Sequence, residues 1–363
     1  MIFNHPITLV VLLTLVILGL TSYIILITSL IPNNHNTTNN ILYPHLFRHY
    51  QYTKGNGNYA KLDHSHKLDN CEGKYVYIYK LPHEFNEDLV DKCGRLTNNW
   101  FPLCGTLTHH GYGPKVNLTG NEENQTLVPS HAWYRSEQFS LELIFHHRMK
   151  SYSCLTSDPT HARLFFIPYY GALDTAFTLF SPNLHRRDQL AHSLVGWLSG
   201  NPTWVEFKGQ RRHFMVLGRV SWDFSRNEEE SSYNRSNNGW GSSLLAQVEL
   251  SNVTKLLIER DPWDTHDIGV PHPTFFHPRD DTDVRTWQEH ISMATRRHLV
   301  SFAGQPRPNQ SESIRTHLID QCTNASLALP SSTCYFLHCT HNICLRPDTT
   351  MDLFIHSEFC MQP

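Results

Sequence analysis

The sequence has no excess of basic residues. It contains 30 Lys and Arg against 33 Asp and Glu, which gives a formal net charge of −3, and its pI is near 6.8. Proteins that bind nucleic acid usually carry a basic surface, so the composition predicts no nucleic-acid partner. Aromatic residues, by contrast, make up 12% of the chain. That is high, and it suits clefts that stack against sugar rings as well as ordinary cores.

Charged residues are also missing from the run between Ile7 and Ile31. This apolar run is long enough to cross a bilayer as a helix. A cleaved signal peptide, the alternative, has a shorter apolar core and a small-residue cleavage site. We therefore predict a cytoplasmic tail at 1–6, a signal anchor at 7–31 and a flexible, Gly- and Asn-rich stem at 32–70.

Sequons for N-glycosylation are more numerous than chance would give, and all of them follow the apolar run. They favour a body that faces the lumen. The seven asparagines are Asn36, Asn117, Asn124, Asn234, Asn252, Asn309 and Asn324.

Cysteine occurs nine times, an odd number. An oxidising lumen favours disulfides. The stretch CYFLHCTHNIC at 334–344 contains residue types that bind zinc, but its cysteine spacing fits no zinc module. We therefore expect disulfides there, and we expect Cys360 to lack a partner.

Apolar runs alternate with helical segments between residues 74 and 260. The runs predict strands at 74–79, 163–170, 213–219 and 254–260, and the spacing of apolar residues predicts a helix at 135–149. Uniformly apolar strands joined by helices are typical of a parallel sheet covered on both faces. The sequence therefore predicts an α/β fold.

A second set of elements starts at His298. It reads as a strand at 298–304, a helix at 311–322 capped by Ser311, a strand at 334–339, a helix at 349–357 and a strand at 358–362. This is the opening of a βαβαβ unit with too few strands to close a sheet. We expect that the fold continues beyond Pro363, and that the chain as printed transfers no sugar.

The stretch SFAGQPRPNQSESIR combines a strand, a glycine turn and the start of a helix. Free N–H groups and the helix dipole attract phosphate at such a place. Arg315 falls in the first turn of the helix, and Arg307 lies in the loop before it. The alternative is an ordinary strand–loop–helix corner with solvated arginines.

Two stretches carry candidate sugar-binding and catalytic residues. In LFFIPYYGALD, Tyr169, Tyr170 and Asp174 follow the carboxyl end of a strand, where open α/β sheets bind ligands. A carboxylate there could serve as a general base. The alternative is packing tyrosines and a helix-capping aspartate. The second stretch, DPWDTHDIGVPHPTFFHP, has acids beside an aromatic ring and could be either a carbohydrate cleft or a rigid loop. Its candidates are Trp263, Asp264, His266 and Asp267.

An Asp-x-Asp triplet, Asp281-Thr-Asp283, has the form with which one glycosyltransferase architecture holds Mn²⁺. The triplet is short and common in polar loops. We therefore predict no metal site in the protein.

Together these stretches resemble the plant exostosin-like glycosyltransferases of family 47, especially the xyloglucan galactosyltransferase group. The matching text, in family order across 71–363, is YVYIYKLPHEFN, WYRSEQFSLELIFHHRM, CLTSDPTHARLFFIPYYGALD, HFMVLGRVSWDF, IERDPWDTHDIGVPHPTFFHP, RRHLVSFAGQPRPNQSESIR and LFIHSEFCMQP. The resemblance implies a GT-B fold with two Rossmann-like domains. The acceptor-side domain would span 71–297, and 298–363 would begin the nucleotide-sugar-binding domain.

The resemblance also implies a function. It implies a type II protein of the Golgi membrane that transfers galactose, with inversion, from UDP-galactose to a cell-wall polysaccharide such as xyloglucan, without a metal cofactor. Other Golgi transferases are candidate partners. The resulting site prediction places the catalytic base at Asp267, with Asp174 and Asp264 as the other candidates. The acceptor would lie against Tyr169, Tyr170, Trp263 and His266, and the donor against Arg307 and Arg315.

Two departures from the family pattern bear on activity. The Gly-Asp-Ser segment and long nucleotide-binding half that normally follow FCMQP are absent from the text. The family's Gly-x-x-Asp-His-Phe reads GQRRHF, which puts Arg212 at the acidic position. A non-catalytic lumenal protein that binds glycan or a partner transferase is therefore an alternative. A metal-dependent transferase using Asp281 and Asp283 is another.

Overall fold

The computed structural model describes residues 71–96, 103–117, 126–210, 212–226, 239–306, 313–328, 334–340 and 343–361. These residues lie in one compact unit, Lys67–Pro363. The predicted tail, anchor and stem fall outside the described residues. Within the described part of the chain, no helix is both long and apolar enough to cross a membrane.

Five parallel strands form the first sheet, and they lie side by side in chain order. They are β1 (Val76–Ile78), β2 (Leu164–Phe166), β3 (His213–Val220), β4 (Thr254–Glu259) and β5 (Asp267–Gly269). The prediction of parallel strands from the apolar runs is confirmed. β5 was missed, because the sequence around it looks like a proline-rich loop. It joins the sheet at the edge, where Ile268 pairs with Leu256.

Side chains alternate between the two faces of this sheet, as the pleat of a strand requires. Phe165 and Met215 pack into one large core with α4 (Gly171–Thr178), α5 (Leu184–Gly200) and α6 (Pro202–Phe207). Phe166 and Phe214 point the other way and pack against α3 (Leu141–Met149). Both faces are therefore covered, as predicted.

The structure places several helix boundaries differently from the sequence prediction. α3 begins at Leu141 rather than at residue 135, because Arg135 N–H donates to the carbonyl of Pro114 in an extended pairing. The two helices α1 (Glu87–Asp91) and α2 (Cys93–Leu96) follow β1. α7 (Asp281–Met293) was not predicted from the sequence, and its N-cap Asp280 accepts from the N–H groups of Thr282 and Asp283.

The second sheet has the predicted βαβαβ order. β6 (His298–Gly304), α8 (Ile314–Ala328), β7 (Cys334–His338), α9 (Pro347–Ile355) and β8 (Ser357–Cys360) follow one another, and the parallel strands are arranged β7-β6-β8. Ser311 lies outside the described residues. Ser313 Oγ accepts from Thr316 N–H at the start of α8. The central position of β6 means that the strand order reverses there, as it does at ligand crevices of doubly wound sheets.

Four disulfides confirm the prediction of disulfide bonds. They join Cys71 to Cys154, Cys93 to Cys104, Cys322 to Cys334 and Cys339 to Cys344. The three cysteines of the 334–344 stretch are therefore all in disulfides. Cys360 is exposed and has none.

Candidate functional site

Two neighbouring cavities share His147 of α3, and one of them lies beside Tyr170 in the loop that leaves the carboxyl end of β2. The Tyr170 cavity, of about 400 Å³, is lined by Tyr170 after β2, by Glu87 and Asp91 of α1, and by His147 of α3. The His277 cavity, of about 530 Å³, is lined by loop residues around His277 and also by His147. Ligands of open α/β sheets bind at carboxyl ends, so these cavities are the candidate site.

A tight turn at His109–Gly113 supplies rings to both cavities. His109, His110, Gly111 and Gly113 all have φ between 51° and 90°. Such angles are uncommon for residues other than glycine, and strain of this kind is concentrated at functional sites. Gly113 is required, because a Cβ there would lie 2.1 Å from the carbonyl oxygen of Arg135. The turn directs His110 onto His147, where the rings stack with centroids 3.8 Å apart.

Three extended segments build the wall of the His277 cavity. Val116 N–H donates to Trp133 O, Tyr134 N–H to Phe275 O, and His277 N–H to Ala132 O. Alternation along these segments sends Val116, Trp133 and Phe276 into a small core that also includes Trp287 of α7. The same alternation leaves Lys115, Tyr134 and His277 to line the cavity.

Hydrogen bonds fix the position of His277. Its Nε2 lies 2.6 Å from Ser136 Oγ, and its ring stacks on Tyr112 with centroids 4.2 Å apart. Burial, followed by the charge of Arg148, lowers the pKa of His277 to about 4. Burial also lowers the pKa of His147, with help from the nearby His110, Lys150 and Arg148. Both imidazoles are therefore neutral at neutral pH.

Glu142 is the most deeply buried acid near the cavities. It is 1% exposed, and its Oε1 accepts from Ala172 N–H at 2.6 Å and from Gly218 N–H at 3.2 Å. Its Oε2 has no hydrogen-bond partner among the described residues. Burial raises the pKa of Glu142 to about 8, against the lowering effect of these N–H groups. Glu142 thus ties α3 to the start of α4 and to the end of β3.

The residues predicted after β2 split between the core and the cavity. Tyr169 is 1% exposed, and its O–H donates to Asp174 Oδ2 at 2.8 Å. Burial raises the pKa of Asp174 to about 7, and it raises the pKa of Tyr169 well above its usual value. Tyr170 lines its cavity, and its Oη lies 2.9 Å from His146 Nδ1. Of these three residues, only Tyr170 reaches the cavities.

The residues predicted around β5 form a separate group at the opposite end of the sheet. Asp267 is the first residue of β5 and pairs in register with Lys255 near the start of β4. Lys255 Nζ lies 3.2 Å from Asp267 Oδ1 and 2.7 Å from Asp264 Oδ2. His266 Nδ1 lies 3.3 Å from Asp264, and Trp263 is 88% exposed. The structure therefore does not bring Asp267 and Asp174 together.

The pKa values of Asp264 and Asp267, which both lie beside Lys255, are shifted in opposite directions. The side chain of Asp267 is 1% exposed, and burial raises its pKa despite the hydrogen bond from Asp261 N–H and the nearby charge of Lys255. Burial also pushes the pKa of Asp264 upward, but the bonds from Lys255 and His266 N–H outweigh it, so its pKa is lowered. Both carboxylates are engaged by protein groups.

The remaining predicted residues lie on other parts of the surface or outside the described residues. Arg315 is the second residue of α8 and is half-buried, whereas Arg307 is not among the described residues. Asn117, Asn252 and Asn324 are exposed, and the other four sequon asparagines are outside the described residues. Asp283 bonds His131 at 2.9 Å, while the side chain of Asp281 is 89% exposed. The described residues contain no cluster of three metal-binding side chains.

Sequence analysis missed most of the groups that line the cavities. His109-His110 and His146-His147 look like scattered surface or core pairs in the sequence. In the folded protein, His110 of the first pair stacks on His147 of the second pair. The glycines that flank Tyr112 were the available signal, because Gly-x-Gly next to paired histidines indicates a turn with left-handed backbone.

Comparison with known proteins gives a family. The exostosin GT47 domain matches residues 70–363. Xyloglucan-specific galacturonosyltransferase 1 of Arabidopsis thaliana is 40% identical over 82% of this chain and 41% of its own length. Xyloglucan galactosyltransferase MUR3 of Arabidopsis thaliana is 38% identical over 82% of this chain and 45% of its own length. No solved structure matches the chain.

The chain thus spans about half the length of these curated relatives. The match covers both sheets, and it includes the turn, the paired histidines and the other residues that line the two cavities. The chain therefore belongs to the exostosin GT47 family.

Proposed function

We propose that this protein is a Golgi glycosyltransferase that adds galactose from UDP-galactose to a cell-wall polysaccharide such as xyloglucan, with inversion at the anomeric carbon. One observation carries the proposal. In a member of the exostosin GT47 family, two neighbouring cavities are lined by tyrosine and histidine, and one of them lies beside Tyr170 at the carboxyl end of β2. Such a position and such rings suit the binding of a sugar chain.

In an inverting transfer the acceptor hydroxyl attacks the anomeric carbon as UDP leaves, and a base takes the hydroxyl proton. We propose His147 as this base, because it lines both cavities and its lowered pKa leaves a ring nitrogen free to accept a proton. Tyr170 would position the acceptor. Asp174 and Asp267 stay predictions, although their carboxylates are engaged with Tyr169 and Lys255.

The donor side of the proposal involves the second sheet. The strand order reverses at β6, and the loop from Gly304 leads to the start of α8, which carries Arg315. A diphosphate at this helix start would receive N–H groups and the guanidinium. A GT-B arrangement, with a second Rossmann-like half completing this side, is part of the proposal. So is transfer without a divalent metal.

The donor sugar is open between two relatives. One is called a galactosyltransferase and the other a galacturonosyltransferase. We propose galactose. We also propose that the run at 7–31 anchors the protein in the Golgi membrane and that the exposed Asn117, Asn252 and Asn324 carry glycans.

Transfer to galactose-depleted xyloglucan, measured with either UDP-galactose or UDP-galacturonate, tests the proposal. The prediction for the chain as printed is no transfer, so the assay uses a protein that also includes the second Rossmann-like half. We expect transfer from UDP-galactose that persists in EDTA and is lost in His147→Gln. His185→Gln is the matched control, because His185 is exposed on α5. Transfer from UDP-galacturonate alone would replace the donor, and dependence on metal would overturn the metal-free mechanism.

A non-catalytic lumenal protein is the second candidate, favoured by the exposed Arg212 at the family's acidic position. It would bind the polysaccharide or a partner transferase without turnover. Binding of xyloglucan fragments with no transfer from either donor would favour this candidate.

A further inference from the structure

The His277 cavity is lined by cations and by no described carboxylate. Lys115, Arg148 and Arg279 contribute positive charge to its lining, and His131, His147 and His277 contribute imidazoles. The Tyr170 cavity differs, because Glu87 and Asp91 line it together with Lys150. The two cavities share His147 and yet have opposite electrostatic character. The protein as a whole has no basic excess.

The cations of the His277 cavity are available to a ligand. Among the described residues, Lys115 and Arg148 make no ion pair with a carboxylate, and the guanidinium of Arg148 lies 5.6 Å from the ring centroid of Tyr112. Arg279 is 68% exposed, and its Nε lies 3.4 Å from Asp283. The Asp283 carboxylate already accepts a hydrogen bond from the backbone N–H of Arg279 and lies against His131 Nε2, each at 2.9 Å.

Other arginines of the same chain are neutralised in the interior. Arg219 Nε bonds Asp223 at 2.6 Å, and Arg226 pairs with Asp188. The contrast shows that the fold supplies carboxylate partners where arginines are structural. Lys115 and Arg148, which have no such partner among the described residues, and the largely exposed Arg279 surround a concave site, and cations gathered in this way attract an anion.

Aromatic faces accompany the cations. Tyr112 stacks on His277 with centroids 4.2 Å apart, and Tyr134 packs edge-on against the same imidazole at 5.7 Å. These rings are held by the hydrogen-bonded wall segments and by Ser136 at 2.6 Å from His277. The cavity, at about 530 Å³, is within the size range of small-ligand sites, about 300–1,000 Å³. Its lining therefore offers a ring-stacking surface beside a positive rim.

We propose that the His277 cavity binds a uronic acid residue of a polysaccharide. The sugar ring would lie against Tyr112 and Tyr134, and its carboxylate would meet Arg148, Arg279 and Lys115. Guanidinium groups bind carboxylates through paired N–H donors, which gives geometric selectivity as well as attraction. The inference rests on the proposed function only in taking the ligand to be a polysaccharide, and it does not require sugar transfer.

Calorimetric titration of the full chain with trigalacturonide and with galactotriose tests this site, since the two sugars differ chiefly in the carboxylate. The ionic strength should be about 0.15 M, where long-range attraction is largely screened. We expect trigalacturonide to bind at least about tenfold more tightly, as expected for charge-assisted hydrogen bonds. Arg148→Gln and Arg279→Gln should each weaken it about tenfold. Arg148→Lys should restore part of the affinity.

Arg285→Gln is the control. The substitution removes the same charge, but Arg285 is exposed on α7 and does not line the cavity. Equal affinity for the two trisaccharides would overturn the proposal, and so would an equal loss in the control. UDP binding that Arg148→Gln weakens would assign the cavity to a diphosphate instead. Thermal melts identify a variant that fails to fold. Failure of sugar transfer alone leaves these binding outcomes unchanged.

Discussion

The two ends of the five-stranded sheet use their polar side chains differently. At the end where β4 and β5 begin, Lys255 forms ion pairs with both Asp264 and Asp267. At the end where β1 and β2 finish, Tyr170 and the stacked His110 and His147 border open cavities. A polar motif in a sequence is thus either neutralised within the fold or presented to a ligand. Strand register determines which of these two outcomes a motif has, because it sets the end of the sheet at which the residues lie.

The largest effect on the free energy of unfolding should come from the ion pairs of Lys255. The side chains of Lys255 and Asp267 are 3% and 1% exposed, so Lys255→Met leaves a buried carboxylate without its cation. Loss of one partner of a buried pair costs about 3–5 kcal/mol. We expect a loss of this size in urea unfolding, and a partial recovery in the double variant Lys255→Met/Asp267→Asn. Asp320→Asn, at an exposed aspartate of α8, is the control.

A different result would change the comparison. If Asp267→Asn abolished sugar transfer while the unfolding free energy stayed the same, Asp267 would be catalytic, as the sequence predicts. The β5 end of the sheet would then belong to the active site.

The pH dependence of stability should reflect buried titratable groups on and around the five-stranded sheet. The raised pKa values of Glu142, about 8, and Asp174, about 7, give stability that is complete at acid pH and is lost as the pH rises toward those values. The lowered pKa values of His146, His213 and His277, each about 4, act in the opposite sense. Their contribution is complete above the ordinary histidine value and is lost as the pH falls toward 4.

Stability should therefore be greatest near about pH 6.5, with Glu142 accounting for a loss of about 2 kcal/mol between there and pH 8. Glu142→Gln should remove most of that loss, whereas Glu249→Gln, at an exposed site, should keep it. Urea unfolding at several pH values measures the difference. Identical slopes above pH 6.5 in the wild type and in Glu142→Gln would show that Glu142 is ionised throughout.

A smaller effect is expected for ligand binding at the cavity end. His147→Ala removes a ring that lines both cavities and stacks on His110. We expect about tenfold weaker binding of a xyloglucan oligosaccharide, about 1.4 kcal/mol, with His185→Ala unchanged. Trp263→Ala makes the same test at the β5 end. A larger loss there than in His147→Ala would reverse the comparison.

The sequence was a better guide to the strands than to the site. Apolar runs such as HFMVLGR identified β3, because burial on both faces leaves little room for polar residues. β5 and α7 were missed. β5 is short, with only its first residue buried, and only one residue of α7 is buried, so neither has a strong apolar pattern. The site was harder, because His110 and His147 meet only through the fold. Proline and aspartate around Trp263 suggested a cleft, but local composition does not determine at which end of the sheet a residue lies.

The smallest effect is expected at Arg212, which the sequence prediction places at an acidic position of the family pattern. Arg212 is exposed and immediately precedes β3, and its carbonyl accepts from Phe165 N–H. The side chain therefore lies at the end of the sheet where the strands begin, away from the carboxyl end of β2, where Tyr170 lines its cavity. The neighbouring His213 keeps its own place, 2.8 Å from Tyr79 Oη and stacked on Phe165. Exposed substitutions away from such contacts usually change stability by less than about 0.5 kcal/mol. Arg212→Asp should therefore change neither the unfolding free energy nor oligosaccharide affinity beyond that range. A gain of transfer activity or of tenfold in affinity would mean that this end of the sheet also takes part in ligand binding.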